Sequence, residues 1–144
     1  MRTLFSNAPW NENGMRGIRA GSRWPELFDP RVKITPYPYW LGHASTYNNG
    51  TFRDSIALGE SEVEYLKATE AFDTVVFETS VPSFKSDLSL IKKIKKPIVL
   101  VGPGVHKGLL DLPGVIGVVV GEYEKGVKSI LRGETDFEIG RAHV

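Results

Sequence analysis

Four short runs of this chain hold the residue types best suited to gripping a ligand. The first, after an opening apolar stretch, passes Pro9 and Trp10 and reaches Gly17-Ile-Arg-Ala-Gly-Ser-Arg-Trp-Pro25. Arg16, Arg19 and Arg23 offer forked donors for carbonyl or phosphate oxygens. Gly17 and Gly21 permit close backbone approach, and Trp10 and Trp24 add flat apolar area. A surface loop whose arginines pair with carboxylates has the same composition, so composition alone leaves both readings open. The second run is Glu78-Thr-Ser-Val-Pro-Ser-Phe84. Thr79, Ser80 and Ser83 gather hydroxyls just before a helix, where backbone N–H groups point outward. Capping explains Ser83 or Ser86, but not three clustered hydroxyls.

The third run is Gly102-Pro-Gly-Val-His106, with Gly108 beyond. Its glycine spacing has the outline of a dinucleotide fingerprint, but it follows the fourth strand and carries Pro103 in the turn, which argues against that use. A lone histidine such as His106 is more often structural than a metal ligand. The fourth run is Gly121-Glu-Tyr-Glu124. Acids in a first helical turn suit the helix dipole. That accounts for Glu122 and Glu124, not for Gly121 or Tyr123.

The elements that would position these runs alternate. Short apolar strands are expected over Thr3–Ala8, Asp54–Leu58, Thr74–Phe77, Pro97–Val101 and Val115–Val120, and helices over Tyr39–Asn49, Ser61–Phe72, Asp87–Lys95 and Tyr123–Leu131. Trp40, Ala44 and Tyr47 mark one helical stripe, and Asn49-Gly50 suits a helix end. Ser61 with Glu64 has the capping-box spacing. Continuous apolar strands alternating with helices predict an α/β fold: a Rossmann-like, flavodoxin-like, doubly wound and mainly parallel five-stranded sheet. Such sheets bind ligands outside the carboxyl ends of their strands, which is where all four runs fall. The segment from Trp10 to Pro38 shows no helical or strand period and reads as one long loop. Loops of that length inside a domain are usually functional or disordered; Tyr37, Tyr39 and Trp40 near its end argue against disorder.

The bulk numbers narrow the class. The chain's 144 residues fit one domain, expected over residues 1–133 with the long loop at 10–38. Lys and Arg number 18 against 17 Asp and Glu, so no nucleic acid or membrane partner is expected. No signal-like N-terminal stretch is read, and a cytoplasmic location is expected. There is no cysteine. Disulfides, thiolate catalysis and Cys-ligated zinc or iron–sulfur centres are therefore excluded within these residues. His43, His106 and His143 are too scattered to suggest a metal site. In the tail, 134–144, the heptapeptide EIGRAHV (138–144) resembles translated sequencing-adapter sequence, and no element of the fold is expected there.

Taken in order, GIRAGSRWP, YPYWLGHA, ETSVPSFKSDL, GPGVH and GEYE resemble the N-terminal cobalamin (B12)-binding domain of cobalamin-dependent radical S-adenosylmethionine proteins. The resemblance runs from Arg2 to about Arg132. It implies a corrin ring over the carboxyl edge of the sheet, bordered by Pro9, Trp10, Gly17, Arg19, Gly21, Ser22, Arg23 and Trp24. It implies that Thr79, Ser80 and Ser83 donate to the nucleotide tail or corrin amides. Gly102, Gly104 and His106 would lie along the tail's path, and Gly121, Glu122 and Tyr123 would close the opposite side. No histidine precedes His43, so the Asp-x-His-x-x-Gly motif of the broader B12 fold is missing and the cobalamin is expected base-off without a histidine ligand. S-adenosylmethionine and a [4Fe-4S] cluster are expected only in a separate C-terminal radical domain, this domain's natural partner. The parent activity implied is a radical methyltransferase or a related reaction, and these residues alone are expected to bind rather than catalyse. A stand-alone corrinoid carrier and a nucleotide-binding Rossmann-like domain are the alternatives.

Overall fold

The structure, a computed structural model, describes residues 1–19, 26–29, 31 and 37–134. In chain order the strands are β1 (Thr3–Asn7), β2 (Asn11–Glu12), β3 (Met15–Ile18), β4 (Glu26–Phe28), β5 (Thr51–Asp54), β6 (Thr74–Glu78), β7 (Ile98–Val101) and β8 (Val115–Val118). The helices are α1 (Tyr39–Tyr47), α2 (Ser55–Leu58), α3 (Glu62–Thr69), α4 (Phe84–Ile91) and α5 (Tyr123–Leu131), with a 3₁₀ turn at Lys107–Asp111.

Five strands form an all-parallel sheet in the order β5-β1-β6-β7-β8. By appearance that is second, first, third, fourth, fifth, the flavodoxin-like order, and the direction of winding reverses between β1 and β6. β1, β6 and β7 are buried at every residue, as central parallel strands covered on both faces must be. Their side chains alternate between two cores. One holds Tyr65, Phe77, Leu90, Ile91 and Leu100 against α3 and α4. The other holds Phe5, Leu41, Val76, Val99 and Val127 against α1 and α5. Tyr123, Gly126, Val127 and Ile130 make the buried stripe of α5 at helical spacing. The Rossmann-like α/β architecture read from the sequence is therefore the one observed.

Several local expectations need correction. The second strand of the sheet is Thr51–Asp54, not Asp54–Leu58. The Asp54 side chain accepts from the Ala57 N–H and starts α2, which Gly59 ends at φ +68°. The helix expected at Asp87–Lys95 begins at Phe84 and ends at Ile91. In α1 the buried stripe is Leu41, Gly42, Ala44 and Ser45, whereas Trp40 and Tyr47 are exposed. The capping box of Ser61 and Glu64 forms with both bonds present.

The long loop is not patternless. β2, β3 and β4 form a small antiparallel sheet. Asn13 and Gly14 take φ +51° and +75° between β2 and β3, the two-residue turn that Asn-Gly favours because both positions need positive φ. Residues 20–25, including Gly21, Ser22, Arg23 and Trp24, lie outside the described residues, as does the tail segment 138–144.

Candidate functional site

The parallel sheet brings the ends of β1, β6, β7 and β8 to one rim, so all the candidate residues that follow these strands share it. At the winding reversal, the centre of that rim is filled by one side chain. Arg19, just past β3, is 4% exposed and reaches between β1 and α4. Its Nη2 donates to Asp87 Oδ1 at 2.6 Å, its Nη1 to Asn7 Oδ1 at 2.8 Å and to the Ala8 carbonyl at 2.5 Å, and its Nε to Ser83 Oγ at 3.3 Å.

The three hydroxyls singled out from the sequence belong to the same network. Thr79 Oγ1 donates to Asp87 Oδ2 at 2.7 Å and Ser83 Oγ to the same oxygen at 2.6 Å. Ser80 and Ser83 hydroxyls are 2.6 Å apart, and the Ser80 N–H donates to Ser83 Oγ. Ser83 occupies the N-cap position of α4, yet its hydroxyl makes no capping bond; it serves the ion pair instead. Because the hydroxyl protons of Thr79 and Ser83 go to Asp87, a ligand would meet these oxygens as acceptors only. The Arg19 and Asp87 side chains are both fully buried. Burial pushes the Asp87 carboxyl upward, and Arg19, Ser83 and Thr79 oppose that shift. The network continues through Asn7, whose Nδ2 donates to Asp54 Oδ1 at 3.0 Å. Burial raises Asp54 as well, against the Ala57 N–H and Asn7.

A second buried contact ties β6 to α5. The Tyr123 hydroxyl donates to Glu78 Oε2 at 2.7 Å. Among the described residues no donor reaches Glu78 Oε1, although that atom is buried. Desolvation therefore lifts the Glu78 carboxyl above its ordinary range, with Tyr123 opposing. The Tyr123 phenol is raised too, by burial and by the Glu78 charge.

The glycines at this rim face the protein's own chain. A Cβ on Gly17 would sit 2.1 Å from the Trp10 ring, so this glycine lets β3 lie flat on a buried tryptophan. Gly102 has φ +114°, and a Cβ there would sit 2.1 Å from the Thr79 carbonyl oxygen. Gly104 has φ +89°, and a Cβ there would sit 2.5 Å from Val81 Cγ2. Pro9 is buried with Trp10. His106 is exposed at the start of the 3₁₀ turn. Gly121, φ +96°, and Glu122 are exposed just before α5.

Two clefts flank the network. One of about 210 Å³ lies among Thr79, Ser80, Val81, Phe84, Pro103 and Gly104. The other, about 320 Å³, separates Trp10, Asn11 and Arg16 from α2 and the start of α3 at Ser61. Small-molecule sites usually span roughly 300–1,000 Å³, so the first cleft is small for a complete ligand.

No family model, curated protein or solved structure matches this chain. Among the described residues no group of His, Asp or Glu is placed to hold a metal ion, and no helix is long and apolar enough to cross a membrane.

Of the sequence candidates, the structure unites Arg19, Thr79, Ser80 and Ser83 in one network and sets Gly102 against the Thr79 carbonyl and Gly104 beside Val81. Tyr123 joins Glu78 instead, and His106 stands apart. Sequence reasoning missed Asn7, Asp54, Glu78 and Asp87. A signal for two of them existed. Glu78 ends an otherwise apolar strand, and Asp87 stands four residues after Ser83, on the same helix face.

Proposed function

We propose that this chain is the cobalamin-binding domain of a cobalamin-dependent radical S-adenosylmethionine enzyme. One observation carries the proposal. The runs that resemble that family and follow a sheet strand do so on a single parallel sheet, along its carboxyl rim, the side on which open α/β sheets bind their ligands. The exposed turns at Gly104 and Gly121–Glu122 suit a flat ligand lying across the rim. The crevice between β1 and β6 does not suit a nucleotide tail, because Arg19 and its partners fill it. A corrin would therefore rest on the outer surface of the rim. A tail would follow the cleft beside Gly104 or require Arg19 to leave. When bound, cobalamin supplies cobalt–carbon chemistry, and the role of these residues is to hold and orient it. Radical generation on S-adenosylmethionine and an iron–sulfur cluster would belong to a further domain.

The test is direct. The purified chain is mixed with hydroxocobalamin and passed through a gel-filtration column. Retention of colour with the protein, with a base-off absorption spectrum, is the expected result. A colourless protein peak, together with a melting temperature unmoved by added hydroxocobalamin, would overturn the proposal.

A further inference from the structure

The small sheet β2-β3-β4 is a flap. It leaves the end of β1, turns at Asn13-Gly14, and lies over a cleft of about 320 Å³ whose far wall is α2 and the start of α3. Just past β3 the flap sends Arg19 away from that cleft and into the body of the domain. There one guanidinium takes acceptors on the end of β1 (Asn7 and the Ala8 carbonyl) and on α4 (Ser83 and Asp87). The acceptor site is built in advance. Asp87 Oδ2 is held by Thr79 and Ser83, which leaves Oδ1 directed at the guanidinium. A buried charge that loses its partner is strongly disfavoured, so this anchor is either fully made or fully broken. The flap's strands pair with one another rather than with the parallel sheet, so the anchor can break while the main sheet stays intact.

We propose that Asp87 is the positioning residue of this flap: acting through Arg19, it latches β2-β3-β4 over the rim, and opening the latch exposes the β1–β6 crevice together with the cleft beneath the flap. This inference does not depend on which ligand the domain binds. It accounts for the three clustered hydroxyls as the seat of a latch. Any ligand of the inner crevice must enter after the latch opens.

Hydrogen–deuterium exchange on the full chain tests it, without ligand. Two variants are compared with the wild type. Asp87→Asn keeps the acceptor shape and removes the charge. Arg19→Lys keeps the charge and loses the fork. In both, amides of β2, β3 and β4 are expected to exchange at least about tenfold faster, because local opening sets the exchange rate of a sub-structure. Amides of β6 and β7 report global unfolding, which loss of a buried partner also eases, but they should stay at least about tenfold better protected than the flap amides. Should one variant fail to fold, the other decides. Flap amides unchanged in a folded variant would show that Arg19 does not hold the flap. Flap and central strands left equally protected, or loss of fold in both variants, would show that the pair secures the whole domain and not a latch.

Discussion

Glu78 is the residue whose chemistry is least comfortable where it stands. It is 5% exposed, one oxygen takes the Tyr123 hydroxyl, and the other is buried without a donor among the described residues. Desolvation raises its folded-state pKa above the unfolded value, and Tyr123 only partly opposes it. The native state therefore keeps a proton at pH values where the unfolded chain has released it. Stability linked to this group is full below the unfolded pKa and is lost as pH rises through the folded one. Glu78→Gln reproduces the neutral acid and removes the titration. The variant should equal the wild type at acidic pH and become the more stable of the two as pH rises above the ordinary glutamate range. Urea unfolding of both proteins at a series of pH values reads this directly. A constant difference across the series would mean that Glu78 does not titrate in the folded state.

Turns and elements show where the sequence was readable. The central strands were legible because continuous apolar runs such as Ile98–Val101 are buried on both faces and leave no alternation to misread. The capping box was legible because both bonds are local. The flap was overlooked, although Asn13-Gly14 is a strong hairpin signal; the strands beside it are only two and four residues long and carry no apolar alternation. The strand expected at Asp54–Leu58 failed because one polar residue decided the matter: Asp54 caps α2 while bonding Asn7. The Arg19 network was hidden because Arg19 lies 11 to 68 residues from its partners, and composition cannot tell a ligand-binding arginine from a latched one. The glycines test the same distinction. At Gly14, φ is positive but nothing lies within 4 Å of an added Cβ, so Gly14→Ala should cost only the left-handed strain, roughly 1–2 kcal/mol. At Gly102 the same strain combines with a backbone oxygen 2.1 Å away, and overpacking adds about 1–3 kcal/mol. Denaturant midpoints should therefore fall further for Gly102→Ala than for Gly14→Ala; equal losses would mean that the β6 and β7 turns separate freely.

At the scale of the whole molecule, the rim is a polar seam running from Asp54 through Asn7, Arg19 and Asp87 to Thr79 and Ser83. It crosses the winding reversal and joins the carboxyl end of β1 to the turn after β6 and the start of α4. Ions taken out of water lose hydration that their attraction only roughly restores, so a pair of this kind contributes more to which surfaces meet than to net stability. Breaking it from one side is different. Asp87→Leu alone leaves a buried guanidinium without its anion, and Arg19→Met alone leaves a buried carboxylate. Each should cost about 3–5 kcal/mol, a large part of the roughly 5–15 kcal/mol that holds a domain of ordinary stability together. The double replacement Arg19→Met with Asp87→Leu removes both charges and keeps comparable volume. It should recover most of either single loss, giving a strongly favourable coupling in a double-mutant cycle measured by urea unfolding. The remaining deficit should come from Asn7, Thr79 and Ser83, which all lose a charged partner, although Asn7 keeps Asp54 and Ser83 keeps Ser80. Additive losses in the cycle would mean that Arg19 and Asp87 stabilise the fold separately, and that the seam is a set of independent contacts rather than one device.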